Sequence, residues 1–161
     1  VHQAPRFTDL LSQAAAHGQS LEDGAVLSLA LPLAPLDPLQ ALPQLPGGDR
    51  FRALWDSQPG LCFAATGVSQ QLELSGPRRF ELAQRFCQLS LSRLQDGAPE
   101  APALARPRVL LGFSFFDAPL LEASEPLPGV RAVLPRGQLS RQGRQCWLRL
   151  SRSVGGESTP R

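Results

Sequence analysis

The sequence predicts an α+β fold in which a largely antiparallel β-sheet carries packed helices. Short apolar runs bounded by Gly and Pro recur along the chain, which is typical of strands joined by turns. One longer stretch, residues 77–96, repeats apolar residues at helical spacing. The chain has 161 residues, the size of one domain with a real core.

The most continuous apolar run lies between Val109 and Asp117, bounded by Pro107 and Pro119. It starts with a β-branched residue, contains three Phe residues and is interrupted by Gly112, so a strand suits it better than a helix. An unbroken apolar run is typical of a strand covered on both faces. We therefore expect 109–117 to be the central strand, with the 77–96 helix packed on one face of the sheet.

The N-terminal third contains two predicted helices and a strand. Arg6–His17 places apolar residues on one helical face, and Gly24–Leu33 is apolar enough for an interior strand. The Pro-rich stretch 32–48 allows one short helix, Leu39–Leu42, with Asp37 as N-cap and Pro38 at its first position. An exposed polyproline ligand for an SH3-like domain is the alternative for this stretch, but its Leu residues favour packing.

Three strand-like runs follow, at Phe51–Trp55, Leu61–Thr66 and Gln70–Leu74. Turn residues at 56–60 and Gly67 separate them, which predicts an antiparallel meander.

The 77–96 helix is predicted to be capped by Ser75 or Gly76 and to end at Gly97. An apolar stripe should face the sheet, and it comprises Phe80, Ala83, Phe86, Cys87, Leu91 and Leu94. Several Arg residues lie off the stripe, and they fit a solvated outer face better than a phosphate site; they are Arg78, Arg79, Arg85 and Arg93.

Two further strands, Val130–Leu139 and Arg144–Leu150, should form a hairpin with a three-residue turn and Gly143 in the left-handed position. In the second strand, Cys146, Leu148 and Leu150 share one face, whereas Trp147 and Arg149 point to the other.

Composition restricts the function classes. The formal charge of +2 gives no electrostatic argument for nucleic acid or an anionic membrane, and no apolar run approaches the roughly 20 residues that span a bilayer. Without a basic start and an apolar core the N-terminus does not resemble a secretory signal, so we expect a cytoplasmic protein. The sequence contains no Met, even at position 1, so we expect that an initiator was removed or that the chain is part of a longer protein.

No set of side chains has the spacing of a catalytic or metal site. All 16 basic residues are Arg, so a lysine base is excluded for this chain. No motif supports a catalytic or metal-binding role for His2 and His17. Asp117 is better explained as the end of a strand than as a ligand-binding residue. Glu122 and Glu125 lie in a Pro-rich loop, and nothing pairs them for acid–base catalysis. The three cysteines are far apart and fit small buried hydrophobes in a reducing compartment; they are Cys62, Cys87 and Cys146. We therefore predict no catalytic, cofactor-binding or metal-binding residue in this chain.

A family resemblance rests on three segments. Residues 108–117 read R-V-L-L-G-F-S-F-F-D, residues 133–136 read V-L-P-R, and residues 146–148 read C-W-L. This succession resembles the N-terminal part of isochorismate synthases, of cyanobacterial type, in which a strand reading GGFAF(F)D precedes LPR and a TWL-like strand. Residues 51–55 are similar to the family's earlier aromatic strand and 64–67 to its A-x-G turn. Gly137 departs from the pattern, where a bulky residue is expected.

The resemblance implies that residues 1–150 are the N-terminal part of a chorismate-using enzyme, within an anthranilate-synthase-like α/β/β/α sandwich, and that 151–161 are a polar tail or linker. In such enzymes the lysine that activates water, the general-acid glutamate and the magnesium-binding glutamates come later in the sequence. The resemblance thus implies Mg²⁺ and chorismate for the complete enzyme, a C-terminal catalytic region as partner, and inactivity of this chain alone. It also implies an exposed apolar patch drawn from Val26–Leu31 and Val109–Phe116.

The implied reaction converts chorismate to isochorismate in menaquinone or phylloquinone biosynthesis. Two alternatives stay open. The chain resembles in part aminodeoxychorismate or anthranilate synthases, although it has no LLES-like tryptophan-binding motif. The second alternative is that the chain is a free-standing interaction module without catalytic activity.

Overall fold

The structure, a computed structural model, describes residues 24–45, 51–57, 60–115 and 127–154. Seven strands form one sheet in the order β2-β3-β6-β7-β1-β4, with β5 paired to β6 beside this path. The strands are β1 (Val26–Leu33), β2 (Arg52–Asp56), β3 (Leu61–Leu74), β4 (Leu94–Asp96), β5 (Leu110–Phe113), β6 (Val130–Gln142) and β7 (Gln145–Ser153). The helices are α1 (Pro38–Ala41) and α2 (Arg79–Ser92), with 3₁₀ turns at Leu42–Gln44 and Ala103–Ala105. The predicted α+β class with an antiparallel-dominated sheet is confirmed.

The centre of the sheet is β6 rather than the 109–117 segment. One edge of β6 pairs along its length with β3, and its other edge is shared between β7 and β5. Its side chains alternate between the two faces, and both sets are buried, as Leu134 and Leu139 show with 1% and 0% exposure. A strand of 13 residues with two long partners has the most neighbours, so it forms the core.

The prediction of a central, doubly covered strand at 109–117 is wrong. The strand covers only Leu110–Phe113 and pairs only with β6 among the described strands. Phe113 is 43% exposed and Phe115 is 90% exposed. The continuous apolar run was misleading because it indicates only that burial of these side chains is favourable. It does not indicate which surface covers them.

The predicted meander is only partly correct. The β2–β3 hairpin is present, but the two predicted strands at 61–66 and 70–74 are one 14-residue strand. Gly67 adopts φ +65° and the register with β6 shifts between Val68 and Gln70. A glycine in the left-handed region thus produces a bulge inside the strand rather than a turn.

The main helix is shorter than predicted at both ends. It begins after Arg78, which caps it without a side-chain hydrogen bond, whereas the Ser75 hydroxyl accepts a hydrogen bond from the Gly129 amide. It ends at Ser92, and residues 94–96 form β4, which pairs in parallel with β1. The helix packs on β6 and β3, as predicted for one face of the sheet.

Of the other local predictions, some are confirmed and one is wrong. The interior strand β1 and the short helix α1 are confirmed, and the Asp37 carboxylate accepts a hydrogen bond from the Leu39 amide at 3.0 Å. The β6–β7 hairpin has a two-residue loop, Gly143–Arg144, instead of three residues. Gly143 has φ +59° and Arg144 does not have a positive φ, the pattern of a type II′ turn. The predicted helix Arg6–His17 lies outside the described residues.

Each face of the sheet is covered by different elements. On one face, α1 and the turn after it pack on Ala64, Leu139 and Cys146. On the other face lie α2 and the segment 97–109, which we call the covering segment. None of the helices in the described ranges is both long and apolar enough to cross a bilayer.

Candidate functional site

The structure does not describe the histidines and carboxylates that the sequence analysis considered for chemistry. His2, His17, Asp117, Glu122 and Glu125 all lie outside the described residues. Within residues 24–45, 51–57, 60–115 and 127–154, no three His, Cys, Asp or Glu side chains lie close enough to hold a metal ion.

The cysteines are free thiols, with Cys62 and Cys146 buried and Cys87 half-buried. Burial raises the pKa of Cys62, and the nearby Asp56 carboxylate raises it further. Burial also raises the pKa of Cys87. A raised pKa keeps these thiols protonated and weakly nucleophilic at neutral pH, which agrees with the packing role predicted for them.

The main polar feature is a layer beneath the covering segment, buried except at Asp96, which we call the polar cluster. Its members lie on one face of β1, β4, β6 and β7: Ser28, Asp96, Gln138, Ser140, Arg149 and Ser151. The Arg149 guanidinium, whose side chain is 2% exposed, donates to both carboxylate oxygens of Asp96 at 3.0 and 3.1 Å. It also donates to the Ser28 hydroxyl at 2.7 Å and to the Ala105 carbonyl at 2.6 Å. The Arg149 guanidinium therefore links β1 and β4 to the covering segment.

A second set of bonds holds the end of the covering segment. The Gln138 amide donates to the Arg106 carbonyl at 2.8 Å and accepts from the Arg108 backbone N–H at 3.2 Å. The Arg108 guanidinium donates to the Leu104 carbonyl at 3.0 Å and lies 5.6 Å from the centre of the Phe63 ring. Burial and the neighbouring positive charge of Arg149 lower the pKa of Arg108. These bonds fix the chain just before β5.

The polar cluster holds backbone in place and has no reactive pair. The Ser28 hydroxyl bonds to Ser151 and Arg149, and the Ser140 hydroxyl accepts from Gln138 and Arg108. The cluster contains no imidazole, lysine or thiol. The sequence had placed Arg149 opposite the apolar face of β7, and this is correct. The alternation along β7 did not reveal that the face carrying Arg149 is also buried. This face is covered by the covering segment, where Ala105 is 44 positions from Arg149 in the chain.

The second feature is an exposed apolar surface around β5, which we call the β5 surface. It comprises Phe80, Leu111, Phe113 and Phe115, which are 56%, 47%, 43% and 90% exposed. The Phe80 and Phe113 rings stack with centroids 4.9 Å apart. The other stretch predicted to be exposed, Val26–Leu31, is instead buried over residues 26–30. Several large apolar side chains grouped on one exposed surface are typical of an interaction site.

The far end of β5 is anchored at Gly129. The Ser114 amide donates to the Gly129 carbonyl at 3.1 Å, and the Gly129 amide donates to the Ser75 hydroxyl at 2.8 Å. A Cβ at position 129 would lie 2.9 Å from the Ser75 Cα and 3.2 Å from the Leu74 carbonyl oxygen. The close approach of three segments therefore requires glycine here. The β5 surface is thus presented by a strand whose two ends are both hydrogen-bonded to the sheet.

Comparison with known proteins identifies the family. A family model described as chorismate binding enzyme matches residues 9–161, which is most of the chain. The protein therefore belongs to the chorismate-binding enzyme family.

Among solved structures, the fold is similar to that of MenF, the menaquinone-specific isochorismate synthase from Escherichia coli. The TM-score is 0.51 at 16% sequence identity, and the match covers 90% of this chain and 29% of MenF. The chain thus spans less than a third of the length of that protein. No curated protein matches significantly.

Proposed function

We propose that this chain is the N-terminal structural portion of an isochorismate synthase, which adds water to chorismate and expels a hydroxyl group to form isochorismate. The observation that carries the proposal is the family match over residues 9–161. The fold similarity to part of MenF supports it, as does the succession of motifs at 108–117, 133–136 and 146–148.

In this proposal, the chain contributes a surface and a scaffold rather than reacting groups. The reaction needs a base and an acid at opposite ends of one ring. The one carboxylate of the polar cluster, Asp96, is held in an ion pair by Arg149, and the sequence has no lysine. The described part of the motif segment, residues 108–115, is instead held by Gln138 before β5 and by Gly129 after it. We propose that the β5 surface packs against the catalytic region of the complete enzyme.

Magnesium, implied by the family resemblance, does not fit the described residues, which offer no cluster of three potential ligands. In the proposal, the ion and its ligands belong to the catalytic region, and the pathway is menaquinone or phylloquinone biosynthesis.

The test compares this chain alone with the same chain extended by the coding sequence that follows position 161 in its source genome. Chorismate and Mg²⁺ are supplied, and the products are separated by chromatography. We expect no turnover by the chain alone and isochorismate from the extended protein. Anthranilate or aminodeoxychorismate as the product would refute the isochorismate assignment within the family. Turnover by the chain alone, or a stop codon directly after position 161, would refute its role as a non-catalytic portion.

A further inference from the structure

The covering segment crosses one face of the sheet and is attached to it mainly by side chains. Its start is fixed by the Gly97 amide, which donates to the Ser28 carbonyl at 2.8 Å. Among the backbone–backbone bonds of the described ranges, none joins residues 98–108 to a strand. The attachment there comes chiefly from two side chains of the sheet that donate to carbonyls of the segment, Arg149 to Ala105 and Gln138 to Arg106. The segment can therefore separate from the sheet without breaking a strand ladder.

The covering segment buries little apolar surface. Of residues 97–109, only Leu104 and Ala105 are buried, and alanine contributes a single methyl group. The layer beneath them is polar, and its buried members are Ser28, Gln138, Ser140, Arg149 and Ser151. Water can form hydrogen bonds to these groups when the cover leaves, whereas exposure of an apolar layer has no such compensation. Opening is therefore less unfavourable here than over an apolar face.

Arg149 keeps its counter-ion when the cover leaves. Two of its partners, Asp96 and Ser28, belong to β4 and β1, and only the Ala105 carbonyl belongs to the covering segment. The large penalty for breaking a buried ion pair comes from leaving one charge uncompensated. That penalty is absent here, because both ions stay together on the sheet.

The attachments are too close together in sequence to be released one at a time. The carbonyls of Ala105 and Arg106 and the amide of Arg108 all bond to the sheet, through Arg149 and Gln138. Prolines on both sides of these residues fix φ and limit independent movement of the backbone; they are Pro102 and Pro107. We therefore expect the segment to leave the sheet in one step.

We propose that the covering segment is a strap that opens as one unit, between Gly97 and β5, while the sheet beneath it stays folded. Opening breaks the bond from the Arg108 amide to the Gln138 side chain, directly before β5. The position of the covering segment is thus coupled to the leading end of the β5 surface. A partner that packs on the β5 surface with β5 held in place favours the closed state. The inference concerns this chain alone, so it holds or fails independently of the proposed function.

Native-state hydrogen exchange of the full chain, followed by NMR at low urea concentrations, tests the proposal. The reporters are the amides of Ala105, Arg106 and Arg108, because a 3₁₀ turn detached from the sheet gives little protection. The reference is the set of β6 amides that bond to β3. We expect the protection of the reporters to be lower on the order of tenfold or more, with one common opening constant and a weak dependence on urea. Equal protection of reporters and reference, or reporters that open independently of one another, would overturn the proposal.

Thiol labelling gives an independent measurement, in a chain that also carries Cys62→Ala and Cys87→Ala. Ser140→Cys places a thiol at a buried position beneath the covering segment, and the natural Cys146, buried on the opposite face, is the matched reference. Peptide mapping separates the two sites, and we expect the introduced thiol to react with a small disulfide reagent faster, on the order of tenfold or more. Equal rates at the two sites would contradict a separate opening of the covering segment. If this variant does not fold, hydrogen exchange of the parent chain decides the question by itself.

Discussion

Arg149 is a residue whose side chain contacts three separate parts of the fold. It joins β7 to β1 through Ser28, to β4 through Asp96, and to the covering segment through the Ala105 carbonyl. A buried ion pair contributes little net stability compared with apolar packing, but removing one partner leaves the other charge uncompensated. We therefore expect Arg149 to select one position of the covering segment rather than to add much net stability.

Arg149→Met is expected to lower the free energy of unfolding by about 3 kcal/mol, the low end for a broken buried ion pair, because the Asp96 side chain remains 29% exposed. Urea unfolding measures the change. Arg152→Met is the matched control, since Arg152 is an exposed arginine on the same strand, and we expect no comparable loss. Equal effects of the two variants would contradict the importance of the Asp96 pair.

The thiols give a prediction about pH. Burial raises the pKa of Cys62 and of Cys87 in the folded chain above the value of 9.0 for a free thiol. The folded state then retains these protons when the unfolded state releases them. This stabilisation is complete below the unfolded pKa and is lost as pH rises through the folded pKa. Stability should therefore fall as pH rises above about 9, and a Cys62→Ala, Cys87→Ala double variant should show a smaller fall in urea titrations.

At the scale of elements, the notable feature is how short segments are held against one another. The 3₁₀ turn Ala103–Ala105 and the strand β5 have little hydrogen bonding of their own, and they depend on Gln138, Arg149 and Gly129. The helix α2 likewise begins without a side-chain cap. The ends of β5 are therefore determined by tertiary contacts, whereas α1 begins at the local Asp37 cap.

Gly129→Ala tests the junction of β5, β6 and the loop before α2. The new methyl group would lie 2.9 Å from the Ser75 Cα, and backbone cannot move aside cheaply, so we expect a loss of about 1 to 3 kcal/mol. Gly112→Ala is the matched control, because a Cβ there meets no atom within 4 Å. Thermal unfolding of both variants checks the prediction, and a loss confined to Gly112→Ala would contradict it.

At the scale of the whole molecule, the β5 surface lies beside the first residues of β6, where β5 pairs with Val130–Val133. Under the proposed function, this surface packs within the complete enzyme.

Phe115→Ser is expected to reduce the binding of a hydrophobic dye to this chain, because Phe115 is 90% exposed on the β5 surface. The free energy of unfolding should change little, since an exposed side chain contributes little burial. Leu39→Ser, on the opposite face and 59% exposed, is the control that should leave most dye binding in place. Fluorescence titration distinguishes them, and equal reduction by both variants would argue against a localised apolar surface.

Local chemistry by itself determined much of this fold. Asp37 followed by Pro38 predicted the α1 start, the apolar content of 24–33 predicted an interior strand, and alternation in β7 placed Arg149 opposite Cys146. The motifs at 108–117, 133–136 and 146–148 indicated the family that the match over 9–161 shows. These signals depend on neighbours within a few residues, which is why they are readable in sequence.

Only the tertiary structure decided which strand is central and which surfaces are covered. An apolar run such as 109–117 indicates that burial is favourable, but the surface that buries it comes from elsewhere in the chain. In the fold, β6 is the central strand, and Leu111 and Phe113 of β5 are exposed. Gly67 became a bulge because β6 pairs with β3 on both sides of it, and Arg149 became buried because residues 97–109 cross above it. Pairing and burial are set by contacts distant in sequence, and no local pattern encodes them.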